Sequence, residues 1–351
     1  MPFYQSVENH KSFSTIRWRL ILLHYKKKDF ETMDNKVVNG LPMCYTLLDD
    51  SANSVIPLFE IAEKNIFTKI DYSLLSSYCP LWMIDAGCSS ESIWSKDKFE
   101  NYRSRFKSRT LNRILYYHDV NHLIGSLQDR FNMAKGALND VFQVLTYPLT
   151  GKGSYVTAIR NSNLKVSTLL SELFAIYIYL CSSMDILTKV IIEFEHIKDI
   201  KYDKYPKLKC EGKNYNSAYP FTKKYKGKNI FTKNGCISEI QDIRNRIIHD
   251  GGFDYSQCIY DCVTKQGAVE HVIFLPDVKD GHIEKSINRR SFYSQGRTAN
   301  EILLKHIIDY CGLFINTVRQ ACKLYDSHIS PNSSLTERYI SYVSTQLSKL
   351  K

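Results

Sequence analysis

The sequence predicts a mainly α protein: a helical bundle with an inserted β-hairpin and a smaller, partly helical N-terminal region. Three observations carry this. Apolar residues recur at alternating steps of three and four along three long stretches, the period of a helix with one buried face. A fourth, shorter stretch of the same period, 237–249, stops at the glycine pair Gly251 and Gly252. Between it and the last long stretch the helical period is lost, and turn and strand signals take its place.

Residues 1–105 are the least patterned. Segments 16–24 and 53–63 mix apolar with charged residues, and Pro57 breaks the second unless it occupies the first turn of a helix. Residues 65–95 carry aromatics, Cys79 and Pro80 and predict irregular structure. From 109 the pattern sharpens. Ile124, Leu127, Phe131, Ala134, Leu138, Val141 and Leu145 predict a long amphipathic helix that ends before Pro148. A polar, glycine-containing connection, 147–162, follows.

The next helix, 164–197, is apolar on most sides and is therefore central. Leu170, Leu173, Tyr177, Leu180, Met184, Leu187, Ile191 and Phe194 keep the alternation, and Ile176, Ile178, Ile186, Val190 and Ile192 add a second flank. Its longest charge-free run, 173–184, is too short to span a bilayer. Asp185 stands out within it, because a buried carboxylate needs a donor or a cation. An i,i+4 pair with Lys189 is one solution.

Residues 198–235 form a crossover of a different kind, with eleven lysines, no arginine, five tyrosines and two phenylalanines. Lys223, Lys224, Lys226 and Lys228 are its densest cluster. Lysines neutralise phosphates and aromatic rings stack on unpaired bases, so one expectation is RNA contact. The other is a solvated connection between two helices. After the short helix, 253–295 is expected to hold a β-hairpin, with a strand at 269–275 and a turn at Asp280-Gly281. Leu304, Ile307, Cys311, Phe314, Val318, Ala321 and Tyr325 place the last long helix at 299–325, and 326–351 form a tail with a short helix from 335.

With 351 residues the chain has room for one large domain or two smaller ones. The expected division is 1–105, 106–325 and 326–351. Lys and Arg outnumber Asp and Glu by 47 to 36, and the net charge of +11 favours polyanionic partners, most simply nucleic acid. Ten cysteines are scattered without a CxxC pair, which fits a reduced, cytoplasmic protein. The start lacks a basic segment followed by an apolar one, so no signal peptide and no membrane partner are expected. No GxxxxGK[ST], GxGxxG or GxSxG is present, which removes support for nucleotide hydrolysis, dinucleotide binding and serine hydrolysis. His118 and His122 stand at i and i+4, but no third metal ligand can be named.

The short helix carries the chemistry. Ile240, Ile243 and Ile247 form its buried face, and Asp242, Asn245 and His249 one polar stripe beside it. His249 falls in the last turn, where the carbonyl end of the helix favours a cation. Arg244, Asn245 and His249 stand as Arg-Asn followed, after three further residues, by His. This resembles the signature of the HEPN superfamily, all-helical domains many of which are metal-independent endoribonucleases. With the flanking helices, the likeness extends over residues 110–325.

The resemblance implies an HEPN-like helical bundle and RNA cleavage to a 2′,3′-cyclic phosphate without metal or other cofactor. It implies a cleft shared between two chains, hence a homodimer, and a role as a toxin or antiviral effector with an antitoxin or regulatory protein as a further partner. His249 would transfer protons, Arg244 would stabilise charge on the phosphorus, and Asn245 would orient one of them. Asp185, on the preceding helix, would face the site. Arg246 joins Lys223, Lys224, Lys226 and Lys228 as candidate RNA contacts. The alternative is a catalytically inactive RNA-binding or regulatory module, with Arg244 paired to Asp185 or Glu239 and His249 capping the helix.

Overall fold

The computed structural model describes residues 40–67, 95–105, 109–147, 149, 155–162, 164–232, 234–253, 258–289 and 291–325. Segment 16–24, residues 68–94 of the stretch expected to be irregular, and the short helix expected from 335 lie outside them. The protein is mainly helical. In chain order the elements are α1 (Gly40–Ser54), α2 (Ile56–Ile66), α3 (Lys96–Arg105), α4 (Arg109–Phe142), β1 (Tyr155–Asn161), α5 (Leu164–His196), α6 (Gly235–His249), β2 (Ile259–Thr264), β3 (Val269–Val272), β4 (Val278–Lys279), β5 (His282–Ile283) and α7 (Ala299–Tyr325).

The long helices stand where the apolar periodicity puts them. α4 packs along α5, and Ile124, Leu127, Phe131, Leu138, Leu173, Tyr177, Leu187 and Ile191 are buried at or near zero exposure. Phe131 meets Phe314 of α7 edge to face, with ring centroids 4.6 Å apart. By length and composition α5 is apolar enough to cross a membrane, but 56% of its most apolar window is buried within the protein. Its apolar surface therefore serves as the seam of a bundle.

Pro57 does occupy the first turn of a helix, α2, where its missing N–H costs nothing. Residues 40–66, grouped by sequence with the N-terminal region, share the bundle core. Leu47 and Leu48 of α1 and Leu58 and Ile61 of α2 are buried in the same cluster as α4, α5 and α7. Lys135 of α4 pairs with Asp49 at 2.7 Å, and Gln128 donates to the Ala52 carbonyl at 3.2 Å.

The region 253–295 holds β structure, but β3 pairs with β2 before it and not, as expected, with a strand beyond the Asp280-Gly281 turn, and the three-stranded sheet has the order β1-β2-β3. Its first strand comes from the stretch expected to be a polar connection. β1 pairs antiparallel with β2, with Arg160 opposite Tyr260 and Asn161 opposite Ile259. It carries no burial alternation, with Val156 68% and Ile159 58% exposed, so the period-two signal of a half-buried strand is missing. The outer edge of β3 is closed by hydrogen bonds from His271 N–H to Thr146 Oγ1 at 2.8 Å and from Asn300 Nδ2 to the His271 carbonyl at 2.9 Å. The Asp280-Gly281 turn joins β4 to β5 and presses on the start of α6. A Cβ on Gly281, whose φ is +78°, would lie 2.6 Å from Gly235 Cα.

The lysine-rich crossover is closely tied to the bundle. Glu193, fully buried on α5, accepts from Tyr116 Oη at 2.5 Å and from Cys210 N–H at 2.7 Å. Asn112 Nδ2 donates to the Tyr202 carbonyl, Tyr205 Oη to Asp119, and Ile230 N–H to Thr317 Oγ1. Most of its aromatics face inward. Phe221, Tyr225 and Phe231 form a small buried cluster with ring centroids 5.2 to 6.4 Å apart, and Tyr202 is buried beside Arg113. Their faces are spent on the core, which removes them as platforms for unpaired bases. Tyr219, 75% exposed, is the aromatic that still offers one.

Candidate functional site

α6 is fixed at both ends and along one side. Asn234 caps its start by accepting from Cys236 N–H at 2.8 Å. Ile237, Ile240 and Ile243 bury one face against the bundle, with Ile247 half-buried behind them. At the far end the N–H groups of Asp250 and Gly252 both return to the Arg246 carbonyl, at 2.9 and 3.2 Å. The chain leaves through Gly251 and Gly252, with φ +79° and +123°, values that side-chain-bearing residues rarely adopt.

Beneath the helix lies a buried charged cluster. Glu239 is 8% exposed; its Oε1 accepts from Arg297, and its Oε2 lies 3.3 Å from His306 Nε2. His306 Nδ1 meets the Tyr177 hydroxyl at 3.2 Å, and Arg297 Nη1 donates to the Pro276 carbonyl at 2.7 Å. Burial opposes ionisation of Glu239, but His306 and Arg297 together hold its carboxyl below the ordinary range. Glu239 is thus committed to these partners, not to Arg244. Short-range patterning offers no signal for this cluster, because Arg297 and His306 come from distant stretches of chain.

Above it, the expected site residues divide. His249 is solvent-exposed in the last turn, next to Ile248, which is 49% exposed. Arg244 is half-buried and donates from Nη1 to Asn245 Oδ1 at 3.0 Å. Its charge reaches α5. Burial pushes the Cys181 thiol up to about 12, Arg244 opposes that rise and Asp185 adds to it, so both charges lie within electrostatic reach of one sulfur. Among the described residues no ion pair joins Arg244 to Asp185, or Asp185 to Lys189. Asp185 instead accepts from Tyr215 N–H at 2.7 Å and anchors the crossover.

Arg246, expected among the RNA contacts, is turned inward. Its Nη2 donates to Ser291 Oγ at 2.8 Å, and its Nε and Nη1 are shielded from solvent. A guanidinium so placed holds the turn after α6 and offers little charge to a phosphate arriving from solution. Asp242 is also engaged, its Oδ2 accepting from Ile283 N–H at 3.1 Å and lying 3.0 Å from His282 Nδ1. Lys223, Lys224, Lys226 and Lys228 are exposed, and Lys224 pairs with Glu195.

Chemically, the helix offers an exposed imidazole, His249, and a half-buried permanent cation, Arg244, five residues apart. On an ideal helix their directions diverge by roughly 140°. One chain therefore presents the two groups on different flanks of α6. Among the described residues no group of three or more His, Cys, Asp and Glu is placed to hold a metal ion. No family model, curated protein or solved structure matches the chain.

Proposed function

We propose that the chain is a metal-independent endoribonuclease whose site is the exposed flank of α6, completed by a second copy. The observation that carries this is the placement of His249. It stands in solvent on the last turn of a helix that a glycine turn stops and a buried ion cluster fixes, with Arg244 near by on a chain of net charge +11. His is the side chain whose charge changes near neutral pH, and Arg matches phosphate oxygens in pairs. His249 would take the proton of the 2′-hydroxyl as its oxygen attacks phosphorus. The bond to the 5′-oxygen breaks, that oxygen takes a proton, and a 2′,3′-cyclic phosphate and a 5′-hydroxyl remain. Arg244 would balance the charge that builds on the phosphoryl oxygens. A role as a toxin or defence effector, held in check by a partner protein, belongs to the same proposal.

The test is cleavage of labelled tRNA and total RNA in EDTA by the native chain and by His249→Ala and Arg244→Ala. Cleavage that survives EDTA and falls by about 10²- to 10⁴-fold in His249→Ala supports the proposal. Full activity in a folded His249→Ala protein refutes it. A second reading, an RNA-binding or regulatory module without catalysis, is favoured by one feature: the Asp185 carboxylate is spent on the crossover and does not orient Arg244.

A further inference from the structure

Just past the end of α6 the structure contains a cavity of about 330 Å³. Leu170 of α5, Phe253, Tyr260 of β2, Ile273, Phe274 and Tyr293 line it. That volume falls within the ~300–1,000 Å³ of small-molecule sites. Cys258 completes the described lining, in which four of seven residues are aromatic and none is acidic. Three of the rings are held by edge-to-face contacts, one of them between two wall residues. Phe253 meets Phe174 edge to face at 5.4 Å, and Tyr260 meets Phe274 edge to face at 5.1 Å. Tyr293 is 40% exposed, so the cavity opens to solvent at that ring.

The cavity is physically joined to the helix that carries His249. Phe253 follows directly on the two-glycine turn. Its carbonyl accepts from Tyr293 Oη and, at 3.3 Å, from Ser291 Oγ, and Ser291 Oγ in turn accepts from Arg246 of α6 at 2.8 Å. The chain that holds the cavity carries a net charge of +11, and Arg289, two residues before Ser291, is exposed.

We infer that this cavity is a nucleobase subsite, which seats one unpaired base of an RNA strand whose phosphates lie along the exposed end of α6. Aromatic walls suit the face of a base, and a chain of net charge +11 suits the phosphates that flank it. A cation would find no counter-charge among the described lining residues. The inference rests on the reading of the partner as RNA, but not on catalysis.

The test uses the full chain and short 2′-O-methyl RNA, which cannot be cleaved because the attacking hydroxyl is blocked. Affinity is measured by fluorescence anisotropy for a hexamer and for versions with one abasic position, against the native protein, Tyr293→Ala and Leu170→Trp. Tyr293→Ala opens the mouth at a partly exposed residue, and Leu170→Trp fills the cavity from behind. Thermal melting confirms that each is folded, and Tyr293→Ala alone decides the matter if Leu170→Trp is not. The expected result is a loss of about tenfold when the seated base is removed, the size of one base stacking on an aromatic ring. The same loss is expected with the intact hexamer in the variants, which then no longer distinguish it from the abasic strand. Equal affinity for intact and abasic strands, native-like binding by Tyr293→Ala, or no binding of RNA would overturn the subsite. Base-dependent binding without cleavage would leave the subsite standing while the ribonuclease reading fails. Cleavage indifferent to abasic positions would do the reverse.

Discussion

Glu239 fixes the seat of α6 through contacts that the sequence of the helix does not disclose. Arg297 is 13% exposed and His306 4% exposed at their side chains, so a carboxylate lost from between them strands buried donors. Removing one partner of a buried pair typically costs about 3–5 kcal/mol. Glu239→Ala is therefore expected to lower the urea midpoint of unfolding sharply, and Glu239→Gln less, since the amide oxygen still accepts. The pH dependence has a definite sign. The folded carboxyl ionises below its ordinary value, so its stabilisation is complete above the unfolded value of about 4.3 and is lost as pH falls toward the folded one. Denaturant titrations below pH 5 should show that acid loss in the native chain and a smaller one in Glu239→Gln. Equal acid limbs would refute the assignment. Arg244, Asn245 and His249 are legible as candidates because they are neighbours in sequence. The Arg297 and His306 partners are not, because only the folded chain brings them under the helix.

Among the elements, helices α4 to α7 are legible because each buries a face at a period of three and four, and that period is written into the residues. β1 is illegible for the opposite reason: both its faces are largely exposed, so nothing constrains its side chains to alternate. The crossover is legible in charge but not in structure. Its aromatics close a small core, and its backbone is received by Glu193, Asp185 and Thr317, which leaves the lysines displayed on a fixed frame. Such a frame predicts a measurable salt dependence. Each phosphate neutralised on a single strand contributes about 0.7 to the slope of log affinity against log salt. Replacing Lys223, Lys226 and Lys228 with Gln should lower that slope for single-stranded RNA by about 2 if all three touch phosphates. Lys224→Gln should change it less, because that ammonium is already paired with Glu195. An unchanged slope in the triple variant would remove the crossover from the RNA-binding surface.

At the scale of the whole molecule, a single chain holds the proposed cation and proton-transfer group on diverging flanks of one helix. A two-fold axis beside α6 would set the Arg244 of one copy against the His249 of the other, and would form two such sites. This can be tested without knowing the interface. Arg244→Ala and His249→Ala proteins, each inactive alone, are unfolded together and refolded as an equal mixture. If each site draws its Arg from one chain and its His from the other, every mixed dimer contains one intact and one doubly damaged site. Random pairing makes half the dimers mixed, so about one quarter of the native activity should return. If each site lies within a single chain, every site keeps one lesion and nothing returns. A sedimentation measurement on the same mixture fixes the interpretation. A species of twice 40.8 kDa with no regained cleavage would place the site within one chain, and a species of 40.8 kDa alone would remove the composite cleft altogether.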